Sequence, residues 1–173
     1  MSNSRPRIDL PLSKAELFLH FLGIAAIVFM AVIFCTVYID MPDRVPTHWG
    51  FDGEIDGYGS KSTYIWITVI GIVMYAGIAV LAFFPHVFNY TCEVTEKNAA
   101  RLYRTGRLWM NIINVEMIWM FAAMFACGVI GAARQTEGTL MLPVILGMTA
   151  IMTVSCIMMI IQFSKAGEEP EGE

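Results

Sequence analysis

Charge is what this 173-residue chain has least of: 15% of its residues are Asp, Glu, Lys or Arg, and 57% are hydrophobic. Soluble domains run nearer about 25% charged and 45–50% apolar. The shortage excludes an ordinary water-soluble domain, because one core of this size holds fewer apolar side chains than the chain supplies, so lipid must cover the rest. Cysteine is scarce too. Cys35, Cys92, Cys127 and Cys156 offer no pair in an oxidising compartment, so no disulfide framework is expected. Fixed-period repeats, low-complexity tracts and interdomain linkers are missing, which leaves one membrane domain as the economical description. No cofactor and no nucleic-acid partner is expected.

Four long apolar stretches are present instead, at residues 17–39, 63–88, 108–133 and 139–163. Each is long enough to cross roughly 30 Å of hydrocarbon at about 1.5 Å per residue, and Glu116 is the one charge inside them. The expected fold is all-α, an integral membrane bundle of four transmembrane helices with a short ordered extracytoplasmic loop between helices 1 and 2. Short connections predict an up-down-up-down order. The first stretch reads as a retained helix: it is long for a signal peptide and ends in Thr36-Val37-Tyr38-Ile39-Asp40, without a small-residue cleavage pattern. Residues 1–16 and 164–173, the latter with Glu168, Glu169, Glu171 and Glu173, are expected to be cytoplasmic tails without fixed structure.

Orientation follows from basic residues, which are retained on the cytoplasmic side of a span. Arg5, Arg7, Lys14, Lys97, Arg101, Arg104, Arg107 and Lys165 fall on one side, and Arg44, Lys61 and Arg134 on the other. Both termini are thus expected in the cytoplasm of a bacterial cell (inner) membrane. The Asn89-Tyr90-Thr91 sequon then lies on the cytoplasmic side and carries no weight. Pro85 should end the second span, and Thr95 is placed to cap a helix that starts near Glu96 and runs into the third. Lys97, Arg101 and Arg104 share a face of that helix, which suits an anchor to anionic lipid headgroups. Small residues at Ala123, Cys127 and Gly131, at Gly128 and Ala132, at Gly147, Ala150 and Ser155, and at Gly71 and Gly77 suit close helix contacts.

The segment 40–61 differs from everything around it. Two prolines fix φ, four glycines permit φ > 0, and Trp49, Phe51 and Tyr58 supply apolar bodies, a composition that predicts a compact ordered cap. Its chemistry is His48, the acids Asp40, Asp43, Asp52, Glu54 and Asp56, and the bases Arg44 and Lys61. Four readings compete. Asp52-Gly53-Glu54-Ile55-Asp56-Gly57 looks like the first half of a calcium loop, although Thr63 stands where a bidentate Glu belongs. A zinc site would use His48 with carboxylates, but too few ligands are present for three protein donors. Proton transfer by His48 beside Asp52 is physically open. In the fourth reading His48 is hydrogen-bonded to the loop backbone and the acids pair with Arg44 and Lys61. No metal site and no catalytic residue is assigned.

The string Pro42-x-x-Val45-Pro46-x-His48-Trp49-x-x-x-Gly53-x-x-Asp56-Gly57-Tyr58-Gly59-Ser60-Lys61 resembles the bacterial domain-of-unknown-function family 1648. Both halves of that family's motif stand here in order and spacing. Pro85-His86-x-Phe88-Asn89-Tyr90, Val94-Thr95-x-x-Asn98 and Tyr103 also look like its cytoplasmic connection, except that Thr91 replaces the proline that more often follows the tyrosine. The resemblance reaches from the first span to about Trp109. The family includes a larger membrane protein that gives immunity to a sporulation-delaying toxin and acts as a receptor. The resemblance therefore implies a binding role for the loop residues Pro46, His48, Trp49, Gly53, Asp56, Gly57, Tyr58 and Lys61.

Asn111, Asn114 and Glu116 sit in the third span, where a charged side chain costs about 2.5–3.5 kcal/mol on insertion scales and usually faces protein or water. His20, at a comparable depth in the first span, is a candidate neighbour of Glu116. Three functions follow. The first is a non-enzymatic sensor, receptor or toxin-immunity-like protein whose loop meets a secreted peptide or envelope protein. The second is a small transporter or channel component using the third-span polar residues, as a homo-oligomer. The third is a membrane-embedded hydrolase, which lacks an evident nucleophile.

Overall fold

The computed structural model describes residues 5–50, 52–134 and 141–167. Phe51, Thr139 and the acidic residues Glu168, Glu169, Glu171 and Glu173 lie outside the described residues. Helix α1, Lys14–Ile33, starts three residues before the expected span because Ser13 and Glu16 close a capping box. The Ser13 hydroxyl oxygen accepts from the Glu16 N–H at 3.3 Å, and the Ser13 N–H donates to Glu16 Oε2 at 2.6 Å, which satisfies two otherwise orphaned donors. The helix then widens into a π-helical turn at Phe34–Tyr38. Strands β1, Arg44–Trp49, and β2, Ile55–Ser60, follow as an antiparallel hairpin.

Helix α2 spans Ser62–Leu81, seven residues short of the expected Phe88. Pro85 supplies the reason: it has no N–H and crowds Phe84 out of the helical region, at φ −117° and ψ 57°. A single 3-10 turn at Pro85–Val87 takes its place. Thr95 caps the next helix as expected, in a reciprocal box in which Thr95 Oγ1 accepts from the Asn98 N–H at 3.3 Å and Asn98 Oδ1 from the Thr95 N–H at 2.8 Å. Helix α3 runs from Ala99 to Arg134. Its 36 residues make it about 54 Å long at 1.5 Å per residue, well over the roughly 30 Å of a bilayer core. Helix α4 spans Met141–Gly167.

The chain is an integral membrane protein whose four helices are each long and apolar enough to cross a bilayer. Helix α3 is the hub and packs on α1, α2 and α4. Phe125, Ile118, Val129 and Ala122 of α3 are fully buried with Met30 and Ala26 of α1. Leu17, Phe21, Trp66, Val73, Ile151 and Ile160 are exposed instead, because lipid and not water is the solvent along those faces.

Close approach between helices is concentrated at three glycines. A Cβ on Gly23 would fall on the Tyr75 ring, one on Gly71 within 2.6 Å of Phe121, and one on Gly128 within 2.4 Å of Tyr64. Of the expected small-residue faces, Gly128 and Ala132 are therefore in contact, while Gly77, Gly131 and Gly147 face open space. Residues 5–13 also depart from expectation, since they are fastened to the bundle rather than loose. Tyr103 O–H donates to the Pro6 carbonyl at 3.0 Å, Arg5 Nη1 donates to the His86 carbonyl at 3.1 Å, and Ile8 and Leu10 pack on Leu102 and Tyr103.

Their main fastening is an ion pair that the charge count alone does not reveal. Arg107 Nε donates to Glu16 Oε1 at 2.5 Å and Nη2 to Oε2 at 3.1 Å, and Nη1 and Nη2 donate to the Leu10 and Pro11 carbonyls at 2.7 and 2.8 Å. Both side chains are more than nine-tenths buried. Isolated charges are not tolerated at such burial, so the bidentate pairing and the two carbonyls are what hold Arg107 there.

Candidate functional site: the hairpin and the third-span polar residues

Between the π-helical turn that ends at Tyr38 and the start of α2 at Ser62 the chain has 23 residues in which to reverse direction, and the motif residues divide into those that build the reversal and those it leaves outside. Gly50 N–H donates to the Glu54 carbonyl at 2.8 Å, and Gly53 N–H to the Gly50 carbonyl at 3.0 Å. Gly53 has φ 87°, a conformation that costs other residues energy. Asp52 Oδ1 caps the turn by accepting from the Glu54 N–H at 3.1 Å. Across the ladder Gly57 faces His48, where a Cβ would come within 2.9 Å of His48 Cβ, and Gly59 faces Val45, where a Cβ would come within 3.0 Å of the Thr47 side chain. The spaced glycines of Asp56-Gly57-Tyr58-Gly59 are thus needed for the two strands to approach where β1 bulges at Thr47.

The hairpin is clamped to the helices at its base. Tyr64 O–H donates to the Pro46 carbonyl, and Val45 is buried against the end of the core. Lys61 Nζ donates to the Met41 carbonyl at 2.9 Å, lies 3.5 Å from Asp43 Oδ1, and sits 5.6 Å from the Tyr38 ring centroid. The Lys61 N–H donates to the Asp43 carbonyl at 3.0 Å. Trp49 is half-buried against the core, its indole N–H buried without a partner among the described residues. Tyr58, expected to pin the cap, is exposed instead.

What remains outside is a pair. His48 Nδ1 and Asp56 Oδ1 are 2.5 Å apart, with their side chains 72% and 51% exposed. The expected pairing of the acids with Arg44 and Lys61 holds for Lys61 with Asp43; Arg44 makes no ion pair among the described residues. Asp52 is turned to its own backbone and Asp56 to His48, so the half calcium motif does not converge. Among the described residues no three His, Cys, Asp or Glu side chains come together as a metal set.

The third-span residues are not one cluster. Successive helix residues turn by about 100°, which puts Asn111 and Asn114 roughly 60° apart and Glu116 about 140° from Asn111. Asn114 Nδ2 donates to the Tyr75 carbonyl of α2 at 3.1 Å, whereas Glu116 Oε1 accepts from Ser155 Oγ of α4 at 2.5 Å. His20 is therefore not needed as its partner. Both amide atoms of Asn111, Asn114 Oδ1 and Glu116 Oε2 are buried without partners among the described residues. Ser155, singled out in the sequence only as a small packing residue, and Tyr75, which no spacing marks, carry these contacts.

Residues 25–73 match the family model described as "Domain of unknown function (DUF1648)". The matched segment takes in the second half of α1, the whole hairpin and the first half of α2, so the family likeness rests on the clamp and the exposed pair together. No curated protein and no solved structure matches the chain.

Proposed function

We propose that this DUF1648-like chain is a non-catalytic recognition protein of the bacterial cell membrane, of the sensor, receptor or immunity type, with the hairpin outside and both termini in the cytoplasm. The observation that carries the reading is the exposed His48–Asp56 pair, standing with Tyr58 on a hairpin whose other motif residues are spent on holding it rigid. A rigid scaffold that presents a few polar and aromatic side chains is how binding sites are commonly built. The partner is a secreted peptide or an envelope protein. Eight basic residues at the tail end against three at the hairpin end support the orientation.

A photoreactive phenylalanine at position 58, tested in living cells, is expected to form a discrete adduct with an extracytoplasmic polypeptide, and the adduct is expected to vanish on His48→Ala or Asp56→Ala. Adducts that are absent, or that are identical in all three strains, would overturn the reading. A second reading, a small transporter or channel component, is favoured by the unpartnered buried atoms of Asn111, Asn114 and Glu116. It requires ion or proton flux in proteoliposomes that falls with Glu116→Gln; no flux from the wild-type chain removes it.

A further inference from the structure

The two strands of the hairpin are not equivalent. Strand β1 packs on α3, has Val45 and Pro46 buried and gives the Pro46 carbonyl to Tyr64. Strand β2 has no fully buried residue, and Asp56, Tyr58 and Ser60 are exposed. The sheet has two strands, so the far edge of β2 has no strand beside it among the described residues.

The register identifies which backbone groups that edge presents. Lys61 N–H bonds to the Asp43 carbonyl, and Pro46, which has no N–H to give, stands opposite Tyr58. In an antiparallel ladder bonded and non-bonded pairs alternate. The β2 backbone groups turned toward β1 are therefore those of Gly59 and Lys61, and those of Tyr58 and Ser60 point away from it. An unpaired strand edge of this kind is a template for another chain, and strand addition is a common mode of peptide recognition. Gly57 and Gly59 carry no side chain to hinder an incoming backbone.

Charge selects the guest. From Asp40 to Lys61 the segment carries five acids against Arg44 and Lys61, and the acid on β2 itself, Asp56, is half-exposed beside Tyr58. A strand laid along β2 meets that carboxylate and that ring at cross-strand distance, where opposite charges and apolar–aromatic pairs stabilise and like charges oppose. We infer that the free edge of β2 binds an extended cationic peptide, alternating basic and apolar residues, by adding it as a third strand through the Tyr58 and Ser60 backbone groups. The inference rests on the recognition reading above and names its partner class and binding mode.

The test uses the full chain in neutral detergent micelles and a labelled, end-capped Lys-Val-Lys-Val-Lys-Val peptide. Saturable binding at low salt is expected. The Glu-Val counterpart is expected to bind at least tenfold more weakly. N-methylation of the Lys-Val peptide on alternate nitrogens is expected to abolish binding in one parity and spare it in the other. Ser60→Pro removes an outward N–H that the hairpin does not use and should abolish binding, whereas Ser60→Ala keeps that N–H and should retain it. Failure of the Lys-Val peptide to bind, equal binding of both peptides, or indifference to N-methyl parity and to Ser60→Pro would each overturn the inference. A position-58 adduct in cells that survives Ser60→Pro would also overturn strand addition while leaving the recognition reading standing.

Discussion

Removing the carboxylate of Glu16 strands a guanidinium that is almost wholly buried, and the size of that penalty is the sharpest check on how the tail end of the bundle is built. Breaking a buried pair by deleting one partner costs about 3–5 kcal/mol. Arg107 keeps its bonds to the Leu10 and Pro11 carbonyls in a Glu16→Ala chain, which places the ion-pair loss near the low end, about 3 kcal/mol. The same substitution opens the Ser13 capping box, worth about 1 kcal/mol more. The expected total is about 4 kcal/mol. Arg107→Leu leaves Glu16 with the Ser13 N–H and O–H as donors and should cost about 3 kcal/mol. The double variant Glu16→Leu with Arg107→Leu removes both charges and should cost at least about 2 kcal/mol less than the sum of the single losses. Unfolding in mixed detergent–dodecyl sulfate micelles measures all of these. Trypsin cleavage after Arg7 should quicken in the single variants, because residues 5–13 lose their fastening. Single losses below about 1 kcal/mol, the range of an exposed pair, or strictly additive effects would refute the reasoning.

Glycine contacts give the next contrast: Gly71→Val and Gly128→Val, aimed at Phe121 and Tyr64, should each lower stability by about 1–3 kcal/mol. Gly77→Ala and Gly147→Ala, in open space, should be neutral or gain up to about 1 kcal/mol; equal losses at all four in the same micelle titration would contradict the packing. Tyr64→Phe removes the O–H bonded to the Pro46 carbonyl and should cost about 1–2 kcal/mol, with faster amide exchange at Val45 and Gly59 by mass spectrometry and none in mid-α3. For orientation, Glu54→Cys in a chain whose own four cysteines are replaced by serine should react with a membrane-impermeant maleimide on intact cells. A chain retaining Cys92 alone should react only after permeabilisation, and the reverse pattern would overturn the assignment. Glu116→Gln keeps an acceptor for Ser155 Oγ and should leave the unfolding midpoint unchanged, a loss above about 1 kcal/mol showing that the charge itself is structural.

The four helices were legible because length and apolarity decide what crosses a bilayer, and Pro85 and Thr95 marked local ends that the backbone obeys. The hairpin was legible only as an ordered cap. Its strands are six residues each, with glycines and a proline that lower strand propensity, and they form because Tyr64 and Lys61 hold their ends together. The Glu16–Arg107 pair was hidden for a different reason. Ninety-one residues separate the partners, and nothing in local spacing distinguishes Arg107 from its neighbours Arg101 and Arg104. The third-span polar residues were found by their cost in lipid, but that cost is blind to direction. Only the helix neighbours show that Asn114 turns to α2 and Glu116 to α4.

The position of α3 at the hub has a consequence for how the protein comes into being. None of α1, α2 or α4 meets its principal partner until α3 has been made, and α3 is the least apolar of the four. With synthesis at about 5–20 residues per second, the interval between completing Tyr38 and completing Arg134 is roughly 5–20 s. Until residue 107 has been made, the first helix stands in lipid with its Glu16 side chain capped by Ser13 alone. Assembly is thus timed by the third helix, and a pause or truncation before residue 107 leaves inserted but unbundled helices for membrane quality control to clear.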